Sequence, residues 1–385
     1  MKFPDRAVIL VAVATAFSLL GDSFLYAVLP AHFTGLGLLP VHVGILLSVN
    51  RWVRLITNTL AERAYRRWDS RLLLAGALAV GAATTASYGL VTSFPLLLIA
   101  RMTWGLCWSL IRQAGMVTAA ETSPSGAIGQ TMGFLNGISR TGSLVGVLAG
   151  GFLHDQFGFI NATIVFGIVS VCAIVPGYLS RARLPRIMHT SEHTSLSPQH
   201  IGLFIVTALI SMVGVGIMFS TFGLMLKVRA GATLDFNGWH MGIATATGLV
   251  LGCRWITDSL GAPVLGHLGD RFGRRTASLV FLALGSIALV LAASNDSVMA
   301  LILSTLAFFV CATTLQVMVA AEAGSRGPGA VATYATAWDT GSAAGPLAGW
   351  IMLQAGMETD AVLVLGAALY AVALIAARWA FPRSS

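Results

Sequence analysis

Apolar residues in this chain fall in blocks about 20 long, not in the one-sided stripes of a soluble helix. A block of that length is what an α-helix needs to cross a hydrocarbon layer at about 1.5 Å per residue. Such blocks fit twelve times, at 7–31, 41–61, 72–91, 94–119, 128–152, 158–179, 200–226, 238–261, 275–294, 297–321, 329–353 and 359–380. The pattern predicts an all-α membrane protein of twelve transmembrane helices. The first block contains Asp22 and lacks a small-residue cleavage site, so it is expected as a retained helix, not a signal peptide.

The chain also repeats itself. RTGSLVGVLAGG (140–151) aligns without gaps on DTGSAAGPLAGW (339–350), LAERAYRR (60–67) on LGDRFGRR (268–275), and AAE at 119–121 on AAE at 320–322. The offsets cluster near 200 residues, about half the length. The expected organisation is a six-helix bundle over 1–182, a polar cytoplasmic linker over 183–199 and a second six-helix bundle over 200–385. Repeated halves of this kind are one route to alternating access, with a solute site between them near the membrane midplane.

Composition agrees with a lipid-embedded chain: 56% of residues are hydrophobic and 10% charged, against about 25% charged in soluble domains. The net charge of +8 follows from topology. Arginines such as Arg63, Arg66, Arg67, Arg71, Arg181, Arg271, Arg274 and Arg275 fall between blocks on one side, and only Lys227 and Arg229 fall opposite. The positive-inside rule then places both termini in the cytoplasm of a bacterial-type inner membrane, and the charge argues for lipid as partner and against nucleic acid. Cys107, Cys172, Cys253 and Cys311 lie in four different blocks without metal-ligand spacing and are expected as reduced, packed thiols. No Walker-type loop and no catalytic constellation is visible, so the reading is neither an enzyme nor a cofactor protein, and a proton gradient is the expected energy source.

GHLGDRFGRR (266–275) resembles the cytoplasmic-loop motif of the major facilitator superfamily, G-x-L-[AG]-D-R-x-G-R-[RK]. Its first-half counterpart, NTLAERAYRR (58–67), keeps Glu62, Arg63, Arg66 and Arg67 but loses both glycines. Arg101 with Gly105 resembles the family's R-x-x-x-G motif, tied in many members to proton coupling. Gly341, Gly345, Pro346 and Gly349 in the eleventh block resemble the G-x-x-x-G-P-x-x-G pattern associated with antiporters, where it belongs in the fifth helix. The fifth block here has Gly142, Gly146 and Gly150 but Val147 in place of proline. The other reading of these glycines is close helix packing. The resemblance spans the chain and implies two pseudo-symmetric bundles working as a monomeric secondary transporter of a small solute. It also implies a cytoplasmic gate formed by Gly266, Asp270, Arg271, Gly273, Arg274 and Arg275 with Glu62 and Arg63.

An unpaired ionisable group inside the bilayer costs on the order of 2.5–3.5 kcal/mol by insertion scales, so each needs a partner, water or solute. Those here are Asp22, Arg51, Arg54, Arg101, Arg112, Arg140, Arg254, Asp258 and Asp339. Asp22 and Arg101 fall at comparable depth. With Asp339 they are the candidates for proton coupling, a static Asp22–Arg101 bond being the alternative. Arg101 and Arg112 share a helix face, with Trp104 and Trp108 close to it, and Arg51, Arg54 and Asn58 share another. Arginines outnumber acids, and a guanidinium fork suits carboxylate or phosphate. These residues, with Arg140 and Gln316, form the expected lining for an anionic or carboxylate-bearing solute. Depth and the family's helix neighbours make Arg51 or Arg54 with Asp339, and Arg140 with Asp258, candidate salt bridges between halves. An i,i+4 pair of Arg254 and Asp258 is the alternative. The glycine-proline pattern points to efflux, while uptake of an organic anion or siderophore uses the same scaffold. A non-transporting receptor or lipid-handling protein is the reading of another class.

Overall fold

A helix that is apolar over most of its surface has little face for water, and the first helix, α1 (Arg6–His32), is of this kind. Val8, Val11, Ala12, Ala14, Phe24, Ala27 and Val28 on it are fully buried. The computed structural model describes residues 4–91, 93–123, 128–181, 200–236, 239–261, 265, 267 and 271–381. The linker expected over 183–199, and Gly266 and Asp270 of the loop motif, lie outside the described residues.

After α1 come a 3₁₀ turn (Phe33–Leu36), α2 (Pro40–Arg67), α3 (Ser70–Leu90), α4 (Phe94–Thr122), α5 (Ile128–Val171) and α6 (Ile174–Ser180). A second series follows: α7 (Ile201–Ser211), a π-helical turn (Met212–Met218), α8 (Phe219–Ala230), a hairpin of β1 (Thr233–Phe236) and β2 (Trp239–Gly242), and α9 (Ile243–Ile256) with a π turn at Thr257–Gly261. The series ends with α10 (Arg274–Ala293), α11 (Val298–Ser325), α12 (Pro328–Gln354) and α13 (Thr359–Ala380). Among the described residues, eight helical stretches are long and apolar enough to cross a membrane. Their outward faces carry large exposed apolar side chains, among them Leu72, Val80, Ile168, Leu284, Ile287, Val372 and Ile375, as a lipid-facing surface requires.

Boundaries differ from the hydropathy reading in three places. α5 runs through the expected loop after residue 152 and breaks at Gly158, whose φ of 80° is open to glycine and strained for other residues. Residues 239–242, expected at the start of a membrane span, are the second strand of an antiparallel hairpin with Thr233 opposite Gly242. The basic segment 60–67 forms the last turns of α2, not a loop, because leucine, alanine, glutamate and arginine are good helix formers and no glycine interrupts them.

The chain forms two compact units, Met1–Val28 with Trp52–Ser191, and Leu29–Arg51 with Glu192–Ser385. In the first, Val8, Val11, Tyr65, Leu74, Leu78, Trp104 and Ile111 form the centre of the core. Glycines set how closely α1 packs: a Cβ at Gly142 would overlap the carbonyl oxygen of Ala16, one at Gly146 would sit 2.6 Å from that of Leu20, and one at Gly150 would sit 2.7 Å from the Phe24 ring. In the second unit, Gly341 and Gly345 of α12 press in the same way on the carbonyls of Ala208 and Met212, and Gly216 of the π turn on Gly345. Gly142 and Gly146 pack helices in the first unit, and their repeat equivalents Gly341 and Gly345 do so in the second. The second unit also contains the tip joining α1 and α2. There Lys227 donates to the carbonyl of Ala31, Phe33 meets Trp350 edge to face at 5.3 Å, and Gly44 lies against Pro346 and Trp350.

At the arginine-rich end of the first unit, Arg181 is 1% exposed. Its Nη1 donates to Glu121 Oε2 at 2.7 Å and to Thr118 Oγ1 at 3.1 Å, and its Nε donates to Ser70 Oγ at 3.4 Å. Hydropathy places Arg181 among the basic residues on one side of the apolar blocks. Removing one partner of a buried pair strands the other, at about 3–5 kcal/mol. Arg181→Ala is therefore expected to lower thermal stability by about that amount, and a melting temperature equal to wild type would refute the assignment. On the surface nearby, Asp69 caps α3 by accepting from the backbone N–H groups of Arg71 and Leu72, and the Arg71 side chain and backbone hold its carboxyl below the usual range.

Candidate functional site

Three polar residues of α1 form one strip. At about 100° per residue, Thr15, Ser18 and Asp22 lie opposite the Ala16, Leu20 and Phe24 face that α5 covers. Gly21 allows α1 to press on Thr85 of α3. This contact sets Asp22 against α4, where Arg101 Nη1 donates to Asp22 Oδ1 at 2.6 Å. Arg101 is 1% exposed and Asp22 17%, so the acid is the more accessible member of the pair. The guanidinium also lies 5.8 Å from the centre of the Tyr88 ring and donates to its hydroxyl at 3.5 Å.

The second unit contains a comparable arrangement, built on other helices. Arg254 of α9 is 2% exposed, and its Nη2 lies 3.8 Å from Asp258 Oδ2, one turn along on the π segment. The i,i+4 pair expected as one alternative is thus present. Arg254 also donates to Gln316 Oε1 at 3.4 Å, and its guanidinium sits 5.9 Å from the Phe219 ring and 5.6 Å from the Phe309 ring. Asp258 accepts a hydrogen bond from Thr313 Oγ1. On the far side of this arginine, Nη1 and the buried Tyr370 hydroxyl have no hydrogen-bond partner among the described residues. They lie 3.6 and 3.9 Å from where a Cβ on Gly214 would stand.

Arg51 belongs to the second unit and donates from Nη1 to the carbonyl of Ser342 at 3.0 Å, one turn along α12 from the buried Asp339. The structure thereby brings Arg51 to the helix that carries Asp339. Arg54 and Asn58 continue along α2 in the first unit and are half-buried, as are Arg112 on α4 and Arg140 on α5. Trp104 is buried against Gly81 of α3, with its ring 6.3 Å from that of the half-buried Trp108.

At the basic end of the second unit, Gly273 has a φ of 82° and starts α10. Arg274 Nη1 reaches Glu322 Oε2 at 3.4 Å and Ser325 Oγ at 3.0 Å. Arg326 Nε donates to Glu322 Oε1 at 2.8 Å, and its Nη2 donates to the last carbonyl of α13, that of Ala380. Arg271 lies over the Phe272 ring, and Arg275 is half-buried. In the first unit Glu62 pairs with Arg66 on the same helix, and Arg63 is exposed. Glu121 and Glu322, matched in the repeat, each anchor an arginine clamp at this end. Sequence reasoning noted the repeated AAE and missed its chemistry.

Residues 11–258 match the family model described as Major Facilitator Superfamily, and that stretch is more than half the chain. The chain belongs to this superfamily. It is therefore a multi-pass membrane protein of that superfamily. Among curated proteins it is 28% identical over 240 residues to the multidrug resistance protein MdtG of Dickeya zeae, covering 59% of this chain and 55% of that protein. It is also 28% identical over 222 residues to MdtG of Citrobacter koseri, covering 54% and 52%. The chain spans about half the length of the curated relatives it matches. Its fold is that of a bacterial homologue of the human lysosomal transporter Spinster, solved in an inward-facing and occupied conformation (TM-score 0.78, 14% identity, covering 97% of this chain and 96% of that one). It is also that of the nucleoside transporter NupG (TM-score 0.78, 12% identity, 99% and 100% covered). In this superfamily member the R-x-x-x-G arginine is the one that holds Asp22.

Proposed function

We propose that this protein is a proton-coupled carrier that exports a small, carboxylate-bearing or otherwise anionic organic solute across a bacterial inner membrane. It would work as a monomer of twelve transmembrane helices with both termini cytoplasmic, by alternating access of its two halves. The observation that carries the proton coupling is the Asp22–Arg101 pair. Its exposed member is a carboxylate, which can take a proton, and its buried member is a guanidinium, which cannot lose one. The solute class rests on three half-buried arginines of the first unit, Arg54, Arg112 and Arg140, whose planar guanidinium forks suit carboxylate or phosphate. Asp339 beside the Arg51 contact is the second candidate for proton coupling, and the clamps at Glu121 and Glu322 are proposed to act in gating at the cytoplasmic end. Export rests on the names of the curated relatives.

One observation favours a second reading, uptake. Protonation of Asp22 releases Arg101 for a solute anion, so proton and anion binding assist each other there, which is the sign of co-transport. A stability screen of the purified protein over carboxylates, phosphates, siderophores and cationic drugs tests the solute class. Ligand at 100 times its Kd stabilises by about 2.7 kcal/mol. Stabilisation by cationic drugs alone would overturn the anionic reading. Flux of the best compound in vesicles, with the pH gradient imposed in each direction, separates export by exchange from uptake with protons. Flux indifferent to the gradient would refute proton coupling.

A further inference from the structure

The two units hold their buried arginines in parallel ways. Each has a guanidinium no more than 2% exposed against an aromatic ring, and a more exposed carboxylate in front of it, Asp22 at 17% and Asp258 at 13%. The parallel is one of arrangement, not of sequence, since Asp22 and Arg101 stand on α1 and α4 whereas Arg254 and Asp258 share α9 and its π segment. It therefore escapes the repeat alignment.

The two pairs differ in how tightly they are closed. Arg101 meets Asp22 at 2.6 Å, while Arg254 stands 3.8 Å from Asp258, beyond hydrogen-bond length. Among the described residues the groups that contact Asp258 are Arg254 on its own helix and Thr313 on α11, and no second acid or base touches it. Arg254, by contrast, has support that does not depend on Asp258: the Gln316 carbonyl and the faces of Phe219 and Phe309. A buried arginine held in this way stays in place when its acid is neutralised.

We infer that Asp258 is a second proton-binding carboxylate, doing in the second unit what Asp22 does in the first. The inference rests on the proton-coupled reading above. A proton from the aqueous phase adds to Oδ2, the oxygen facing Arg254, and the ion pair is lost. Oδ1 keeps the Thr313 hydroxyl, and Arg254 retains its charge on Gln316 and the two rings. No other bond changes. The carrier then binds a proton at Asp258 in the second unit besides the one at Asp22 in the first, and the charge it moves per cycle reflects both.

Infrared difference spectroscopy of the purified full-length protein in lipid, recorded as the medium is acidified, tests this without a solute. Asp258→Asn is expected to remove the signal of one protonatable carboxyl per molecule, and Asp258→Glu to restore one at a shifted frequency. Thr313→Val, which removes the donor to Oδ1, is expected to move that same band. A merely structural acid would leave the difference spectrum unaltered. The inference is overturned if Asp258→Asn loses no carboxyl signal, or if Thr313→Val leaves every band in place. Failure of the Asp22 reading looks different, because Asp22→Asn would then lose no signal while Asp258→Asn still did.

Discussion

Gly142→Ala is expected to cost about 3 kcal/mol or more of stability, and the protein to be recovered in low yield or aggregated. The added methyl would overlap the backbone carbonyl of Ala16, and backbone cannot rotate aside as a side chain can. Overpacking a well-filled core costs typically about 1–3 kcal/mol, and separating two helices more. α5 supplies its own controls. Gly133 and Gly137 have nothing within 4 Å of a built Cβ, so alanine there is expected to be neutral or to stabilise by up to about 1 kcal/mol. The repeat extends the prediction to Gly341→Ala in the second unit, which meets the carbonyl of Ala208. Thermal unfolding of the four variants in one detergent decides the matter. If Gly142→Ala and Gly137→Ala melt together, the glycines do not set the α1–α5 distance.

The second large effect is an asymmetry. Removing either member of the Asp22–Arg101 pair is expected to abolish proton-driven flux, yet the two losses are expected to differ in stability. Asp22→Leu leaves Arg101, 1% exposed, with a charge it cannot shed, at about 3–5 kcal/mol. Arg101→Leu leaves Asp22, which is 17% exposed and can be neutralised by a proton, so its cost is expected to be about half as large or less. Replacing both by leucine is expected to recover most of the stability and none of the coupling, because a buried ion pair and well-packed apolar residues are often equivalent in stability. Equal destabilisation by the two single variants would contradict the assignment of Arg101 as the fixed charge.

Long apolar blocks made α1, α3, α4 and α10 to α13 legible from the sequence, since their length alone distinguishes a membrane helix from a soluble one. The pairing of Asp22 with Arg101 was legible too, because depth along a helix is a residue count and only one acid was available at that level. The π turns at Met212–Met218 and Thr257–Gly261 were not. They arise where Gly216 meets Gly345 across two helices and where the backbone carries Asp258 toward Thr313, and such contacts leave no local periodicity. The partners of Arg181 were not legible for a related reason: hydropathy sees a charge at a helix end and cannot see Glu121, Thr118 and Ser70 converging on it. Two of the four thiols expected to be packed, Cys172 and Cys253, are exposed, since periodicity in a helix surrounded by lipid does not reveal which side faces outward.

The tip of α1 and α2 belongs to the second unit although the rest of both helices belongs to the first. Its anchors, Lys227 on the Ala31 carbonyl, Gln354 on the Val41 amide and Trp350 against Phe33 and Gly44, all come from the later part of the sequence. A cut just after Ser191 would therefore yield an earlier fragment that owns the whole first unit and a later one that lacks residues 29–51 of the second. The later fragment would lack the hairpin that covers Trp350, and the earlier one would carry a hairpin with nothing beneath it. Each would be a template for the other, and the two would recombine more readily than either would stand alone.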